Sequence, residues 1–172
     1  PPAKKAICTS RSFGQSQTNL EAMEEAVATF ATRCAEKLRR QHSVASQLMV
    51  FIHTNGFRDD LPQYARNRVI NLSPASNNSL ELVKHSTEAL RCIFRQGFAY
   101  KKAGVIVTGL IREDEVQNDL FKAGNDEKQK RLMESVDALN RKIGQDAIKI
   151  ATQGSGRKWK LRQEKLSPCY TT

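Results

Sequence analysis

Long apolar runs are missing from this 172-residue sequence. No stretch approaches the roughly 20 residues that a membrane span needs, and the Pro1 to Lys5 opening lacks the make-up of a signal peptide, so a soluble protein is expected. Aromatic residues are scarce, at 6% with a single Trp, and there are four cysteines. Cys8, Cys34, Cys92 and Cys169 lie far apart, with no CxxC pair and no nearby His, which argues against a zinc site and against a disulfide framework. A reducing cytoplasm suits them, with Cys34 and Cys92 as core positions. Acid is also short: 18 Asp and Glu stand against 28 Lys and Arg, a net charge of +10. That excess points to an anionic partner, nucleic acid foremost. Up to Ile111 there are 15 basic and 8 acidic residues, and beyond it 13 and 10, so the first part carries the stronger field. With 39% hydrophobic residues the chain is too apolar for an unfolded polycation. Its length suits one domain with an appendage.

Recognisable catalytic groupings are lacking too. Asp59 and Asp60 are adjacent carboxylates, but a two-metal site needs further carboxylates placed by rigid strands, and these two fall in a polar turn. A metal-dependent nuclease built on them is the weakest of the readings open here. His42, His53 and His85 have no Ser, Cys or Asp neighbour at triad spacing. The GSGRKW stretch has neither the spacing nor the ending of a phosphate-binding loop.

What is present is a regular alternation of short and long patterns. Residues 6 to 13 read as a strand, followed by a turn and a helix start with Thr18 and Glu21 at capping-box spacing. Met23, Val27, Phe30, Cys34 and Leu38 then mark one face of a helix of about 20 residues. Residues 46 to 53 form a nearly continuous apolar run, read as a buried strand, and residues 67 to 72 alternate as the next one. Asn78 with Glu81 signals a second helix, with Leu80, Val83, Thr87, Leu90 and Phe94 inward and Gly97 as its stop. Residues 99 to 111, rich in β-branched side chains, make the last strand. The order β, α, β, β, α, β predicts an α+β fold: a four-stranded antiparallel sheet with two helices on one face and the other face free for a ligand. After an acidic stretch, Leu132, Val136, Leu139 and Ile143 pattern a third helix over about 127 to 143, ended by Gly144, in a small basic C-terminal module. Trp159, flanked by Arg157, Lys158 and Lys160, is read as the core of that module, the other reading being a ring that stacks on an exposed base. The expected division is 1–111 for the sheet unit, 112–126 for a linker and 127–172 for the module.

Three polar and basic clusters sit at strand ends: Ser10, Arg11 and Ser12; Arg66 and Arg68; Lys101 and Lys102. In an antiparallel sheet they can meet along one rim and hold phosphates without reading bases. Alternation sends Lys101 and Lys102 to opposite faces.

SRSFG at 10–14, YKKAGV at 100–105, QNDLF at 117–121 and LSPCYTT at 166–172 occur in the order found in UmuC-type Y-family DNA polymerases. The chain resembles the C-terminal portion of that family across nearly its whole length. LSPCYTT departs from the family's LSPRYTT at Cys169. The resemblance implies a little finger domain that grips primer-template DNA, with the catalytic palm, fingers and thumb upstream. It therefore implies no catalytic residues and no cofactor on this stretch, the parent polymerase using Mg. It also implies that Gln117, Asp119, Leu120 and Phe121 form a bacterial sliding-clamp motif, with Asn118 where Leu is usual, and that UmuD-type accessory subunits and RecA are partners in SOS mutagenesis. The competing class is a standalone basic adaptor that tethers a partner to the clamp.

Overall fold

The computed structural model describes residues 4–116, 123–156 and 159–160. Strand β1 (Ala6–Gln17) leads through Asn19 into helix α1 (Leu20–Arg40); β2 (Ser43–Thr54) and β3 (Ala65–Ser76) form a hairpin; α2 (Ser79–Ile93) precedes β4 (Tyr100–Arg112); and α3 (Ala123–Ile143) follows a 3-10 turn at Glu113–Glu115. The strands run in the order β1-β4-β2-β3, every neighbouring pair antiparallel. The expected α+β fold is the one observed. No helix among the described residues is long and apolar enough to cross a membrane.

The core follows from two periodicities meeting. On the strands, Ile7, Phe13, Leu48, Val50, Ile52, Ala103, Val105 and Val107 alternate onto one face, where all are buried. Against them α1 sets Met23, Val27, Phe30, Cys34 and Leu38, at helical spacing, and α2 sets Leu82, Val83, Leu90 and Ile93. Small residues thin out α1 on this side: Ala26, Ala28, Ala31 and Ala35 are fully buried, which lets the helix lie close to the sheet and to α2. Cys34 is sealed among these groups beside the Thr9 hydroxyl (3.4 Å), and loss of solvent pushes its thiol up to about 11.

Several details differ from what the sequence predicts. Helix α1 is capped by Asn19, whose side chain accepts from the Glu21 amide at 2.7 Å, because β1 runs on to Gln17 and moves the helix entry past Thr18. Asn78 does cap α2, accepting from the Leu80 amide at 2.9 Å. Leu80 itself is 45% exposed, and Cys92 is exposed, because the inward stripe of α2 runs through residues 82, 83, 86, 90 and 93. The helix stops at Ile93, with Phe94 already extended, and Gly97 serves the following loop at φ +94.

Helix α3 departs furthest. Its apolar stripe of Leu132, Leu139 and Ile143 faces out, while Met133 is buried. Polar links attach the helix to the sheet unit: Asp137 accepts a two-pronged pair from Arg39 (2.7 and 2.8 Å), Gln129 accepts from Asn78, and Lys130 reaches Glu113 at 3.0 Å. Between α3 and α1 lies a groove of about 1260 Å³ that includes Arg39, Asn77, Glu81, Met133 and Asp137. Gly144, at φ +138, ends the helix as expected.

Beyond it the chain returns across α1. Gly154 sits where a Cβ would overlap the Glu25 carboxylate, Gln153 is fully buried, and Trp159 is wedged edge-on to Phe30 (5.3 Å) and Phe13 (6.4 Å). Trp159 is thus a core residue, but of the sheet-and-helix unit: with the α3 stripe turned outward, the rings it meets are Phe13 and Phe30.

Trp159→Ala removes a buried indole from between two rings and should cost about 3–5 kcal/mol of unfolding free energy in urea titrations. At pH 8, peptide mapping after brief treatment with a thiol reagent should find Cys8 and Cys92 modified well ahead of Cys34, since the buried thiol stays neutral until the pH approaches 11.

Candidate nucleic-acid interface

The four strands contain no Asp or Glu, yet they carry Arg11, Arg66, Arg68, Lys101, Lys102 and Arg112. All the acid of the sheet unit lies on helices and loops. Four cations away from the strands are held in ion pairs: Arg33 pairs with Glu36 and Asp146, Arg39 with Asp137, Arg91 with Glu24, and Arg58 with Asp60. Among the described residues, Arg11, Arg66, Arg68 and Lys102 have no carboxylate partner, and Arg112 is the strand cation that does, pairing with Asp114. An acid-free surface with unpaired cations attracts anions and costs nothing to unpair when one arrives.

The register brings the predicted clusters to one end of the sheet. Reading across from β1 through β4 and β2 to β3, one rung is Ser12, Lys102, His53 and Ala65; the next is Arg11, Ala103, Ile52 and Arg66; then Ser10, Gly104, Phe51 and Asn67; then Thr9, Val105, Val50 and Arg68. The β1 and β3 clusters occupy opposite edges, three strand spacings or roughly 14 Å apart, with Lys102 between them. They share an end rather than a rim.

Alternation then divides them between faces. Ser10, Ser12 and Lys102 share the open side with Phe51 and His53, while Arg11, Arg66 and Arg68 fall on the side of the buried Ile52 and Val50. All three arginines are nevertheless exposed, because the helical cover stops short of both edges at this end. Arg66 lies over the Tyr64 ring at 5.3 Å, and Arg11 donates to its neighbour's carbonyl at Ser10. Lys101 falls in a register break of β4, and its ammonium donates to the Phe13 carbonyl at 2.6 Å. Here it acts as a tie between strands.

Asp60 is held by Arg58 in a two-pronged pair (2.6 and 2.7 Å), and that hydrogen bonding keeps its carboxyl below the usual range. The loop is closed further by Gln63, whose amide donates to the Asn55, Arg58 and Leu61 carbonyls. Asp59 and Asp60 thus stand in an ordered turn, and among the described residues no group of three potential ligands gathers to hold a metal. Gln117, Asp119, Leu120 and Phe121, expected to form a clamp motif, lie outside the described residues, between the turn at Glu113–Glu115 and the start of α3.

Sequence patterning does not reveal the centre of the open face. The run at 46–53 reads as a buried strand, yet Met49, Phe51 and His53 are only half-buried. With Ile106 and the 51% exposed Val69 they form an apolar and aromatic middle to the uncovered side. A signal is nevertheless there: a strand apolar on both faces, in a fold with one helical layer, must present one face to the open side.

Replacing Arg11, Arg68 and Lys102 together by Ala should flatten the salt dependence of duplex binding, by about 0.9 in the log-log slope for each phosphate no longer neutralised. Anisotropy titrations at several salt concentrations measure it, and an unchanged slope would remove these residues from the interface.

Comparison with known proteins gives a consistent assignment. Residues 4–120 match the family model described as the impB/mucB/samB family C-terminal domain, and residues 130–172 match a domain of unknown function. Protein UmuC of Salmonella typhimurium is 35% identical over 176 residues, covering 99% of this chain and 41% of the relative. Protein MucB of Escherichia coli is 37% identical over 173 residues, covering 100% and 40%. The chain spans about two fifths of the length of these curated relatives. A solved complex of beta-clamp processivity factor and the little finger domain of PolIV aligns with 67% of this chain and 97% of its own at a TM-score of 0.42 and 17% identity, too loosely to argue from.

Proposed function

Since the chain belongs to the impB/mucB/samB C-terminal domain family, we propose that it is the DNA-holding, clamp-tethering portion of an error-prone translesion DNA polymerase. The observation that carries the DNA part is the sheet itself: four strands without a carboxylate, with Arg11, Arg66, Arg68 and Lys102 at one end, none of them paired with a carboxylate among the described residues. Such a surface holds phosphates by charge and by hydroxyls such as Ser10 and Ser12, and reads no bases, as an enzyme working on any template sequence requires. Lys101 contributes by fixing β4 to β1 at that end.

In this reading residues 1–111 supply the grip, 112–126 a tether and 127–172 a further module secured to α1 through Arg39 and Trp159. Chemistry belongs to a palm domain of the parent, where Mg would be bound; this stretch supplies affinity and position. Work in the cytoplasm during the SOS response, with UmuD-type subunits and RecA as further partners, completes the proposal. The parent reading frame is its simplest check, since it must encode palm carboxylates upstream, whereas a standalone adaptor would begin near Pro1.

The tether is assigned to the sliding clamp through Gln117, Asp119, Leu120 and Phe121. An extended segment can set one amide in a polar subsite and two apolar side chains in a groove. Calorimetric titration of the chain against purified clamp should show Leu120→Ala with Phe121→Ala losing about 2 kcal/mol or more, and Asn118→Leu binding tighter through added apolar area. Duplex affinity should be unchanged in both. Clamp affinity equal to wild type in the double variant would rule the motif out.

A further inference from the structure

Leu132, Val136, Leu139 and Ile143 recur along α3 at alternating steps of four and three, the spacing of a coiled-coil seam, with leucine at one set of positions and β-branched residues at the other. The sheet unit does not use this seam. Leu132 is 50% exposed, Leu139 40% and Ile143 67%, while Met133, Asp137 and Gln129 make the helix's contacts with the body. Asn140 holds the Ile148 backbone through both its amide and its carbonyl (2.9 and 2.8 Å), which keeps the exposed Ile148 beside the last turn of the helix. With Asp137 fixed by Arg39, the seam is presented on a helix already in place, so a binder has no helix to order.

The flanks of a coiled-coil seam select its partner by charge. On one flank Met133 is buried and Asn140 is bonded to Ile148, so both are taken up by the protein itself. The other flank is Lys128, Ser135 and Lys142, both lysines exposed and without a carboxylate partner among the described residues. A second copy of the chain would bring the same lysines and no acid to meet them. Residues 161–172 carry Arg162 and Lys165 against Glu164 and are no better matched. A bilayer surface takes a helix lying free, whereas α3 is bonded to the body along one side.

We propose that the α3 seam is a docking site for an amphipathic helix of another protein, apolar along one stripe and acidic beside it. The partner's apolar side chains fill the spaces between Leu132, Val136, Leu139 and Ile143, and its carboxylates meet Lys128 and Lys142. This adds a protein-binding surface to the function proposed above, and uses neither the strand cations nor Gln117, Leu120 and Phe121.

The test uses the whole 172-residue chain and two fluorescent synthetic peptides about three heptads long, with Ile and Leu along the stripe and either Glu or Lys at the flanking positions. Anisotropy titrations should show the Glu peptide binding about tenfold or more tighter than the Lys peptide. Leu132→Ser with Leu139→Ser should weaken the Glu peptide about tenfold or more while leaving duplex DNA affinity unchanged. If that variant fails to fold, Lys128→Glu with Lys142→Glu leaves the seam intact and should reverse the preference between the peptides. Neither peptide binding, both binding alike, or an unreversed preference in the lysine variant would overturn the docking site. Sedimentation should show no self-association that depends on Leu132 and Leu139. A dimer lost in the double Ser variant would mean that a second copy covers the seam. Binding to mixed phosphatidylserine and phosphatidylcholine vesicles that is lost in that variant, with no peptide bound, would assign the seam to a bilayer. Either result overturns the proposal.

Discussion

Two helices can cover only one side of a four-stranded antiparallel sheet, and the rest of this molecule is arranged around that constraint. The covered side takes the long apolar residues of β2 and β4 against α1 and α2, and there the packing is close enough that Phe13, Phe30, Leu48 and Tyr100 have almost no accessible surface. The open side has no second layer to hide apolar residues from water. It nevertheless keeps Met49, Phe51, Ile106 and Val69. Exposed apolar surface in contiguous rungs marks a place where something docks, and the composition of the strands around it narrows what that can be.

Charge is sorted along the same division. An even scatter of 18 acidic residues would put several on strands that make up more than a quarter of the chain, and none is there. Carboxylates instead occupy the helices and the loops, where Glu36, Asp137, Asp60 and Glu24 meet Arg33, Arg39, Arg58 and Arg91. The exposed Arg58–Asp60 pair contributes little to stability, whereas the Arg33 and Arg39 pairs are largely buried. These pairs occupy carboxylates away from the strands, while Lys102 and the edge arginines have no carboxylate partner among the described residues.

Much of this is legible in the residues. Period-3.6 spacing at Met23, Val27, Phe30, Cys34 and Leu38 locates α1 and its inner face, and Asn78 locates the start of α2, because these local signals agree with the tertiary packing. Leu80 and Cys92 defeat the same reasoning, because the inward face of α2 is decided by its packing on α1 and on the sheet. The basic clusters are legible as clusters but not as an arrangement, since register alone determines that Ser12, Lys102 and His53 share a rung and that Arg66 faces the other way. Lys101 has the sequence setting of a phosphate ligand; the break in β4 makes it a strand tie. Phe51 carries no motif, and the seating of its ring depends on Gly104, distant in sequence but adjacent in space.

The third helix shows the same constraint from another side. Its spacing is amphipathic, yet the sheet unit has already closed its core with α1 and α2, so no apolar site remains for Leu132, Leu139 and Ile143. The helix attaches instead by directional polar links, Asp137 to Arg39 and Gln129 to Asn78, and the chain beyond it regains the core chiefly through Trp159. Arg39 is the pivot of that arrangement, donating to Asp137 on α3 and, with its other nitrogen, to the Asn77 carbonyl and the Ser79 hydroxyl at the start of α2. One guanidinium therefore joins three helices through a planar fork that a lysine could not reproduce. Among the described residues, the stretch beyond the sheet unit is thus fastened by polar contacts of α3 and by one indole in the core, and not by the apolar stripe of α3.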